Sequence, residues 1–358
     1  AAAAPTTAAA APTAAPAAQA SAGKGTLELW MQHPEWKDAM GSVVKAFQQK
    51  NPDVQVNVTA QAQNYTDQVQ TALNAGIGPD VFQSATRPQL DIQSKTGQLM
   101  DLSHKVDEGA WTEVAKQAVT VGGKVWGVPG GKYTVGIAYH MNVFDKAGIK
   151  DEPKTWADMT EAFNKLKAIN VIPYSIAAKD GSLTYFNYIG LASSALGLDG
   201  FNNVVMGTKK LTDPDMVAVV QQMIDWAKFY EPNFVGTVYL ESKALFATAK
   251  AAAMDAGSSD YNGYKQINPA AQLGFMYWPA PDAQHKPCTN TGMEFTLGVN
   301  AKTKNADAAV AFVNWLGTTA GGQAMTDNVR DLPVLDGVTP KDPLQQKMLA
   351  TPLDVPVW

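Results

Sequence analysis

The sequence contains few of the residues that carry redox, covalent or metal chemistry. Cys288 is the single cysteine among 358 residues, so no internal disulfide can form. The four histidines, His33, His104, His140 and His285, do not fall at metal-ligand spacing. We therefore predict a buried, inert thiol, no metal site and no cofactor.

Neither a strong excess of charge nor a long apolar run is present. The formal net charge is −5 and the isoelectric point is about 5.4, which does not favour a nucleic-acid partner. No segment approaches the roughly 20 apolar residues of a membrane-spanning helix. A phosphate-binding loop and a nucleophilic serine elbow are also missing. These absences argue against nucleic-acid binding and against catalysis.

Residues 1–24 differ in composition from the rest of the chain. They consist almost entirely of Ala, Pro, Thr, Gln and Ser. Three prolines, Pro5, Pro12 and Pro16, interrupt every stretch long enough to nucleate a helix. We predict a disordered linker. No basic segment followed by an apolar one precedes it, so we predict that this chain carries no signal peptide and comes from a processed precursor.

The pattern after residue 25 alternates between strand and helix. Residues 26–31 form an apolar, β-prone run, residues 39–47 repeat at helical spacing, and residues 54–58 alternate as a strand. A second helix over 65–73 and a short strand over 80–82 follow. This β-α-β-α-β order predicts a parallel sheet with helices on both faces, whose ligands bind at the carboxyl ends of the strands. A chain of this length also exceeds one core, which predicts two lobes.

The stretch from Gly123 to Met141 predicts where the chain crosses between the lobes. Its apolar pattern breaks at Pro129, Gly130 and Gly131, and a second apolar run begins at once. Glycine adopts backbone angles that other residues avoid, and proline has no amide donor. We therefore predict that one strand ends here and another begins, with a hinge between them.

Several ordered pieces of the chain resemble the sugar-binding family of extracellular solute-binding proteins of ABC importers, which includes maltose-binding protein. The resemblance covers residues 25–335. Its pieces are residues 27–31, 75–82, 97–102, 123–129, 155–156, 251–254, 278–281 and 332–333. The usual glycine before the strand at 251–254 is replaced by Ala249, and residues 255–259 lack the aromatic residue that many members carry there. The identity of the sugar therefore cannot be taken from a relative.

The resemblance implies a two-lobed, hinged α/β fold with a ligand cleft between the lobes. It implies a first lobe of residues 25–130 and 290–325 and a second lobe of residues 131–289 and 326–358. It further implies a monomer outside the cytoplasm that takes up a small carbohydrate, delivers it to the membrane permease subunits of an ABC transporter, and has no catalytic activity. Many members begin with a lipid-modified cysteine, so anchoring through a removed N-terminal Cys is a further expectation.

Candidate ligand contacts lie in the loops after the predicted strands and at the two predicted crossings. A sugar has apolar C–H faces and a belt of hydroxyls, so its site needs flat aromatic rings and planar polar groups. Trp278 ends a predicted strand before two prolines, and we expect its indole to stack on the ligand. Arg330 is expected to reach the cleft or to pair with Asp327 or Asp331. The candidates are Gln32, His33, Glu35, Trp36, Asn64, Gln83, Arg87, Tyr133, Asp255, Ser258, Ser259, Trp278, Gly292, Met293 and Arg330.

Two alternatives remain open from the sequence. A polyamine or another small polar solute would need carboxylates at the ends of an aromatic box. A glycoside-active enzyme would need two carboxylates across the cleft, for which Glu35 and Asp255 are the candidates.

Overall fold

The structure is a computed structural model that describes residues 24–60, 64–84 and 87–356, and the side chains of Glu35 and Arg87 are not described. The linker predicted for residues 1–24 lies outside the described residues except for Lys24. The strands are β1 (Gly25–Met31), β2 (Val54–Ala60), β3 (Val81–Ser84), β4 (Thr120–Val121), β5 (Lys124–Val125), β6 (Val128–His140), β7 (Ile172–Ser175), β8 (Ala251–Gly257), β9 (Leu273–Met276), β10 (Thr289–Val299) and β11 (Asp354–Pro356).

The helices connect these strands and cover the sheet. They are α1 (Lys37–Gln48), α2 (Tyr65–Ala75), α3 (Arg87–Lys95), α4 (Glu113–Val119), α5 (Met141–Lys146), α6 (Trp156–Ala168), α7 (Ser182–Val205), α8 (Pro214–Trp226), α9 (Tyr239–Ala247), α10 (Asp260–Ile267), α11 (Ala306–Leu316), α12 (Thr319–Asn328) and α13 (Pro343–Leu349). Among the described helices, none combines the length and the apolar character of a membrane span.

The predicted β-α-β-α-β order at the start of the chain is confirmed. Strand β1 pairs in parallel with β2 on one side and with β3 on the other. Leu27, Leu29 and Met31 alternate along β1 and are buried, which fixes the face that β1 turns to the core. The carboxyl ends of β1 and β3 therefore lie at the same edge of the sheet.

One mixed sheet runs through both lobes, in the order β2-β1-β3-β10-β6-β8-β7. Strand β10 is antiparallel to β3 and to β6, and β6 is antiparallel to β8 and β9. The 13-residue β6 and the 11-residue β10 are long enough to serve both halves of the sheet. These two strands connect the lobes.

The buried apolar residues divide into a first-lobe core and a second-lobe core. The first-lobe core takes residues from positions 27–128 and 295–338. The second-lobe core lies on both faces of its part of the sheet and takes residues from positions 137–288, with Leu332, Met348 and Val355. The boundary predicted at residue 326 is too early, because α12 packs on α1 and Val329 and Val338 belong to the first-lobe core.

The predicted break at the first crossing is wrong. Strand β6 continues through Pro129, Gly130 and Gly131 without interruption, and none of the three residues has a positive φ. Glycine is required at positions 130 and 131 for a different reason, because neighbouring side chains pack directly against the backbone there. A Cβ on Gly130 would lie 2.0 Å from the ring of Phe295, and one on Gly131 would lie 2.7 Å from the Cβ of Asp331. The pairing is irregular on both strands, because the register leaves Glu294 of β10 and Gly130 of β6 without a counterpart on either side of the Phe295–Gly131 pair.

The sequence also predicts a capping box at Thr155 and Asp158 and a helix that begins at Pro214. Both helix starts are confirmed, but the buried face predicted for the second helix is too wide. Thr155 and Asp158 form the capping box of α6, and Pro214 opens α8. The sequence predicts a core face on α8 that includes Val220 and Ile224. Both are exposed, at 44% and 60% of their surfaces, because only one narrow stripe of α8 meets the second-lobe core.

Candidate ligand-binding site

A half-buried tyrosine lies where β6 and β10 cross between the lobes. Tyr133 on β6 pairs with Gly292 on β10, and a Cβ on that glycine would lie 2.5 Å from the Tyr133 hydroxyl. The tyrosine side chain therefore rests on bare backbone. Burial, followed by the influence of Glu294 and Tyr185, raises the pKa of Tyr133 to about 12. Its hydroxyl is neutral at physiological pH and can donate and accept hydrogen bonds.

The loop after β1 reaches the same crossing. Nε2 of His33 lies 3.7 Å from Oε1 of Glu294, whose side chain is 11% exposed. The His33 ring stacks on Trp36 with 4.0 Å between ring centroids. The backbone amide of Gln32 donates to the side-chain oxygen of Gln83 over 3.0 Å. The loop after β1 is thereby joined to strand β3 and placed beside β10.

An unpaired carboxyl group lies next to this cluster. Asp331 is 1% exposed, and both of its carboxyl oxygens lack a hydrogen-bond partner among the described residues. Two backbone hydrogen bonds of 3.0 Å between Lys132 and Leu332 hold the segment against β6. Burial, and then the nearby Glu294, hold the pKa of Asp331 well above its usual range. The crossing therefore combines two acids, a tyrosine and a histidine.

Sequence reasoning found part of this arrangement and missed the acids. The structure brings together His33, Tyr133 and Gly292 from the predicted set, with Gln32 and Gln83 in support. Glu294 and Tyr185 were not among the predicted contacts, and Asp331 was considered only as a partner for Arg330. Glu294 follows the predicted residue Met293 directly, so its place in the second crossing was a usable signal.

Trp278 does not face the cleft, so its predicted stacking role is wrong. Its side chain is fully buried in the second-lobe core. A Cβ on Gly190 of α7 would lie 2.2 Å from the indole, which shows how closely the helix covers it. The Trp278 backbone also pairs with Cys288 in an antiparallel bridge. Helix α7 thus covers the end of the strand, and the local sequence around Trp278 does not predict this contact.

Asp255 and Ser258 are buried in the second lobe and bonded to it. The hydroxyl of Tyr174 donates to Asp255, and the side-chain amide of Asn187 donates over 3.4 Å. Burial raises the pKa of Asp255 well above its usual range. Ser258 exchanges hydrogen bonds with the backbone of Thr134, with lengths of 2.9 and 3.2 Å. The prediction that Asp255 faces a ligand is wrong, because its oxygens are turned into this internal network.

Trp36 is also a core residue. It is 1% exposed and packs against Phe295 with 5.4 Å between ring centroids. It supports the His33 ring and presents no face to a ligand, contrary to the sequence-based expectation. Gln83 is 2% exposed and is occupied by the amide of Gln32.

The other predicted contacts lie at the margins or outside the description. Asn64 is exposed and left-handed, with φ of 52°, just before α2. Met293 packs against the first-lobe core, and Ser259 is half-buried at the start of α10. Arg330 forms an ion pair with Asp342 and with neither Asp327 nor Asp331. The side chains of Glu35 and Arg87 lie outside the described residues, so their predicted roles stay predictions.

A two-lobed α/β protein with polar and aromatic groups at the crossing of its lobes belongs to the class of hinged solute-binding proteins. The chain belongs to the family described as bacterial extracellular solute-binding protein, whose sequence model matches residues 42–352. This confirms the resemblance drawn from the ordered sequence pieces. It also places the chain outside the cytoplasm and in a family of binding proteins.

Individual relatives and structures agree with this assignment. The multiple sugar-binding protein of Streptococcus mutans is 26% identical over 321 residues, spanning 86% of this chain and 75% of the relative. The structure of RafE in complex with raffinose has a TM-score of 0.78 at 22% identity, covering 93% of this chain and 89% of RafE. The solute receptor AcbH, described as preferring β-D-galactopyranose, has a TM-score of 0.80 at 19% identity, covering 93% and 88%. These similarities confirm the two-lobed fold.

Proposed function

We propose that this protein binds a small carbohydrate between its lobes and delivers it to the membrane subunits of an ABC importer. The observation that carries the proposal is the cluster at the strand crossing. Tyr133 offers a ring and a neutral hydroxyl, and Glu294 offers carboxylate oxygens within reach of His33. An aromatic side chain beside planar polar groups suits a sugar. Relatives named for raffinose, melibiose and multiple sugars support the same ligand class.

The position of the cluster supports closure of the lobes around a bound ligand. Because Tyr133 and Gly292 lie on the two strands that join the lobes, a ligand there contacts both lobes only when they close. The ligand therefore favours the closed form through its greater affinity for that form. The importer subunits then act on a closed, loaded protein.

The buried position of Asp255, the candidate catalytic acid, argues against a catalytic role. The enzyme alternative requires Asp255 across the cleft, but Asp255 is fully buried and bonded to Tyr174 and Asn187. We propose that the protein binds without turnover and acts as a monomer. The lipid anchor suggested by the resemblance stays a prediction.

A thermal-shift screen tests the proposal directly. The panel contains raffinose, melibiose, galactose, N,N′-diacetylchitobiose and spermidine. A ligand at about 100 times its dissociation constant adds roughly 2.7 kcal/mol to stability, which a melting curve resolves. We expect stabilisation by at least one sugar, a smaller radius of gyration in solution scattering with that sugar bound, and no product after prolonged incubation. Stabilisation by spermidine alone would favour the polyamine alternative.

A further inference from the structure

We propose that Asn262 and Gln345 of the second lobe are positioning residues that set the angle between the lobes. Each donates side-chain hydrogen bonds to the backbone of residues 329–331, which we name the junction segment because it joins α12 of the first lobe to the second lobe. The inference goes beyond the proposed function, since it concerns the orientation of the lobes in the ligand-free protein. Only its affinity measurement rests on the carbohydrate function.

The junction segment is anchored to the first lobe on both sides. Helix α12, which precedes it, packs on α1, and Val329 belongs to the first-lobe core. The backbone amide of Arg330 donates to the carbonyl oxygen of Met325 in α12 over 3.3 Å. Beyond the segment, the carbonyl oxygen of Val334 accepts from the backbone amide and the hydroxyl of Thr112 over 3.3 and 3.0 Å. The first lobe therefore determines where the segment begins and where the chain goes after it.

The second lobe binds the middle of the same segment through two side-chain amides. Nδ2 of Asn262 on α10 donates to the carbonyl oxygen of Val329 over 3.3 Å. Nε2 of Gln345 on α13 donates to the carbonyl oxygens of Arg330 and Asp331 over 2.8 and 3.3 Å. Both helices contribute side chains to the second-lobe core. Three consecutive carbonyl oxygens between the lobes are thus held by second-lobe donors.

These hydrogen bonds restrict the angle between the lobes because the connection is short. Only Arg330 and Asp331 lie between Val329 in the first-lobe core and Leu332 in the second-lobe core. A rotation of one lobe against the other must be absorbed by the backbone dihedrals of a few such connecting residues. Rotation at these two residues turns their carbonyl oxygens away from the Gln345 amide. The hydrogen bonds therefore favour the interlobe angle of this structure over neighbouring angles.

The backbone of Arg330 also needs support from its surroundings. Its φ of 70° is left-handed, and a residue with this backbone at the end of a helix is usually glycine. A residue in such a conformation persists only where neighbouring contacts hold it. The hydrogen bond of 2.8 Å from Gln345 to the Arg330 carbonyl oxygen is one such contact. Loss of this bond should release the backbone at the point where the lobes connect.

Ion pairs near the junction segment are a weaker restraint than these hydrogen bonds. Arg330 pairs with Asp342 and Lys341 pairs with Asp327, but exposed pairs contribute little because solvent screens them. Gln345, in contrast, is 6% exposed, so water competes little for its amide. We therefore expect the interlobe angle of the wild type to be insensitive to high salt.

Pulsed electron paramagnetic resonance on the full chain measures the distribution of interlobe distances without any ligand. Cys288 is buried, so nitroxide labels attach to cysteines introduced by Thr71→Cys in the first lobe and Asn164→Cys in the second lobe. Both positions are exposed, on α2 and α6. The labelled pair is compared in the background of each variant.

The variants remove hydrogen-bond donors while keeping side-chain volume. We expect Gln345→Met, which loses two hydrogen bonds, to broaden the distance distribution, and Asn262→Leu, which loses one, to broaden it less. Gln48→Met is the matched control. Gln48 donates from its side-chain amide to the carbonyl oxygen of Val54 over 3.1 Å, entirely within the first lobe. The control should keep the wild-type distribution even if its melting temperature falls as far as that of Gln345→Met.

Ligand affinity gives a second measurement, with whichever panel sugar stabilises the wild type. A protein whose lobes sample more orientations must be ordered when a ligand contacts both lobes, which weakens binding. By isothermal titration we expect Gln345→Met to bind roughly 3- to 10-fold more weakly, the range for losing one or two neutral hydrogen bonds. The control should bind within about twofold of the wild type.

Each other outcome has a distinct meaning. Wild-type distance distributions in both Gln345→Met and Asn262→Leu would overturn the inference, and so would equal broadening in Gln48→Met. A broader distribution with unchanged affinity would contradict the link to binding. If no panel sugar binds while the distributions broaden as expected, the carbohydrate function falls and the positioning role stands. If Gln345→Met fails to fold, the half-buried Asn262 decides, and a wild-type distribution in Asn262→Leu then overturns the inference.

Discussion

The interior of the second lobe and the crossing of β6 and β10 both contain a fully buried acid, but only one of the two acids is paired. Asp255 in the second lobe receives hydrogen bonds from Tyr174 and Asn187. Asp331 at the crossing has no partner among the described residues. Burial raises the pKa of both groups well above the usual range. Burial and a shifted pKa therefore do not distinguish the two acids, whereas their hydrogen bonding does.

The largest expected effect is a loss of folding stability, which distinguishes the second-lobe core from the crossing of β6 and β10. Trp278→Ala should lower the free energy of unfolding by about 3–5 kcal/mol, because it removes a fully buried indole from the second-lobe core. Urea unfolding measures this loss, and titration of the remaining folded protein should give wild-type sugar affinity. Tyr133→Ala is the matched change at the crossing, and it should mainly weaken binding. Weak binding with unchanged stability in Trp278→Ala would place the indole back in the site.

The core and the crossing can also be compared by adding one methyl group to a glycine in each region. Gly190→Ala places a Cβ 2.2 Å from the Trp278 indole, so we expect a loss of about 3 kcal/mol, the upper end of the usual overpacking range. Gly292→Ala places a Cβ 2.5 Å from the Tyr133 hydroxyl. That side chain is half-buried and can move outward, so affinity should fall more than stability. Melting curves with and without sugar distinguish the two responses, and equal destabilisation by both variants would contradict the distinction.

These close contacts also show how far the sequence could predict the structure. Local patterns predict β1 to β3 with their helices, because period and turn residues are encoded within short windows. They also place Tyr133 and Gly292 at the crossings. They cannot show that Gly190, far along the chain from Trp278, brings a helix over that indole. The position of Asp331 could not be predicted for the same reason, since it depends on the pairing of Leu332 with the distant Lys132.

A smaller effect tests the paired acid against the unpaired one. Asp255→Leu leaves the Tyr174 hydroxyl without its acceptor in a buried site, which should cost about 1–3 kcal/mol of folding stability. Asp331→Leu removes a carboxyl group that bonds to no described residue, so it should leave the stability of the ligand-free protein unchanged or higher. Chemical unfolding at pH 7 compares the two variants. A larger loss from Asp331→Leu would mean that the crossing acid has a structural partner.

The smallest effect is expected at Arg330, a predicted ligand contact whose side chain lies toward Asp342. This side chain is 40% exposed and its partner 25% exposed. Ion pairs of such exposure contribute about 0–1 kcal/mol, because solvent screens the charges and ordering two side chains costs entropy. Arg330→Gln should therefore change both folding stability and the free energy of sugar binding by less than about 1 kcal/mol. Titration of Asp342→Asn provides the control, since loss of the ion pair alone must then have the same small effect. A loss of affinity in Arg330→Gln that Asp342→Asn does not share would show that Arg330 leaves its partner and contacts the sugar when the lobes close.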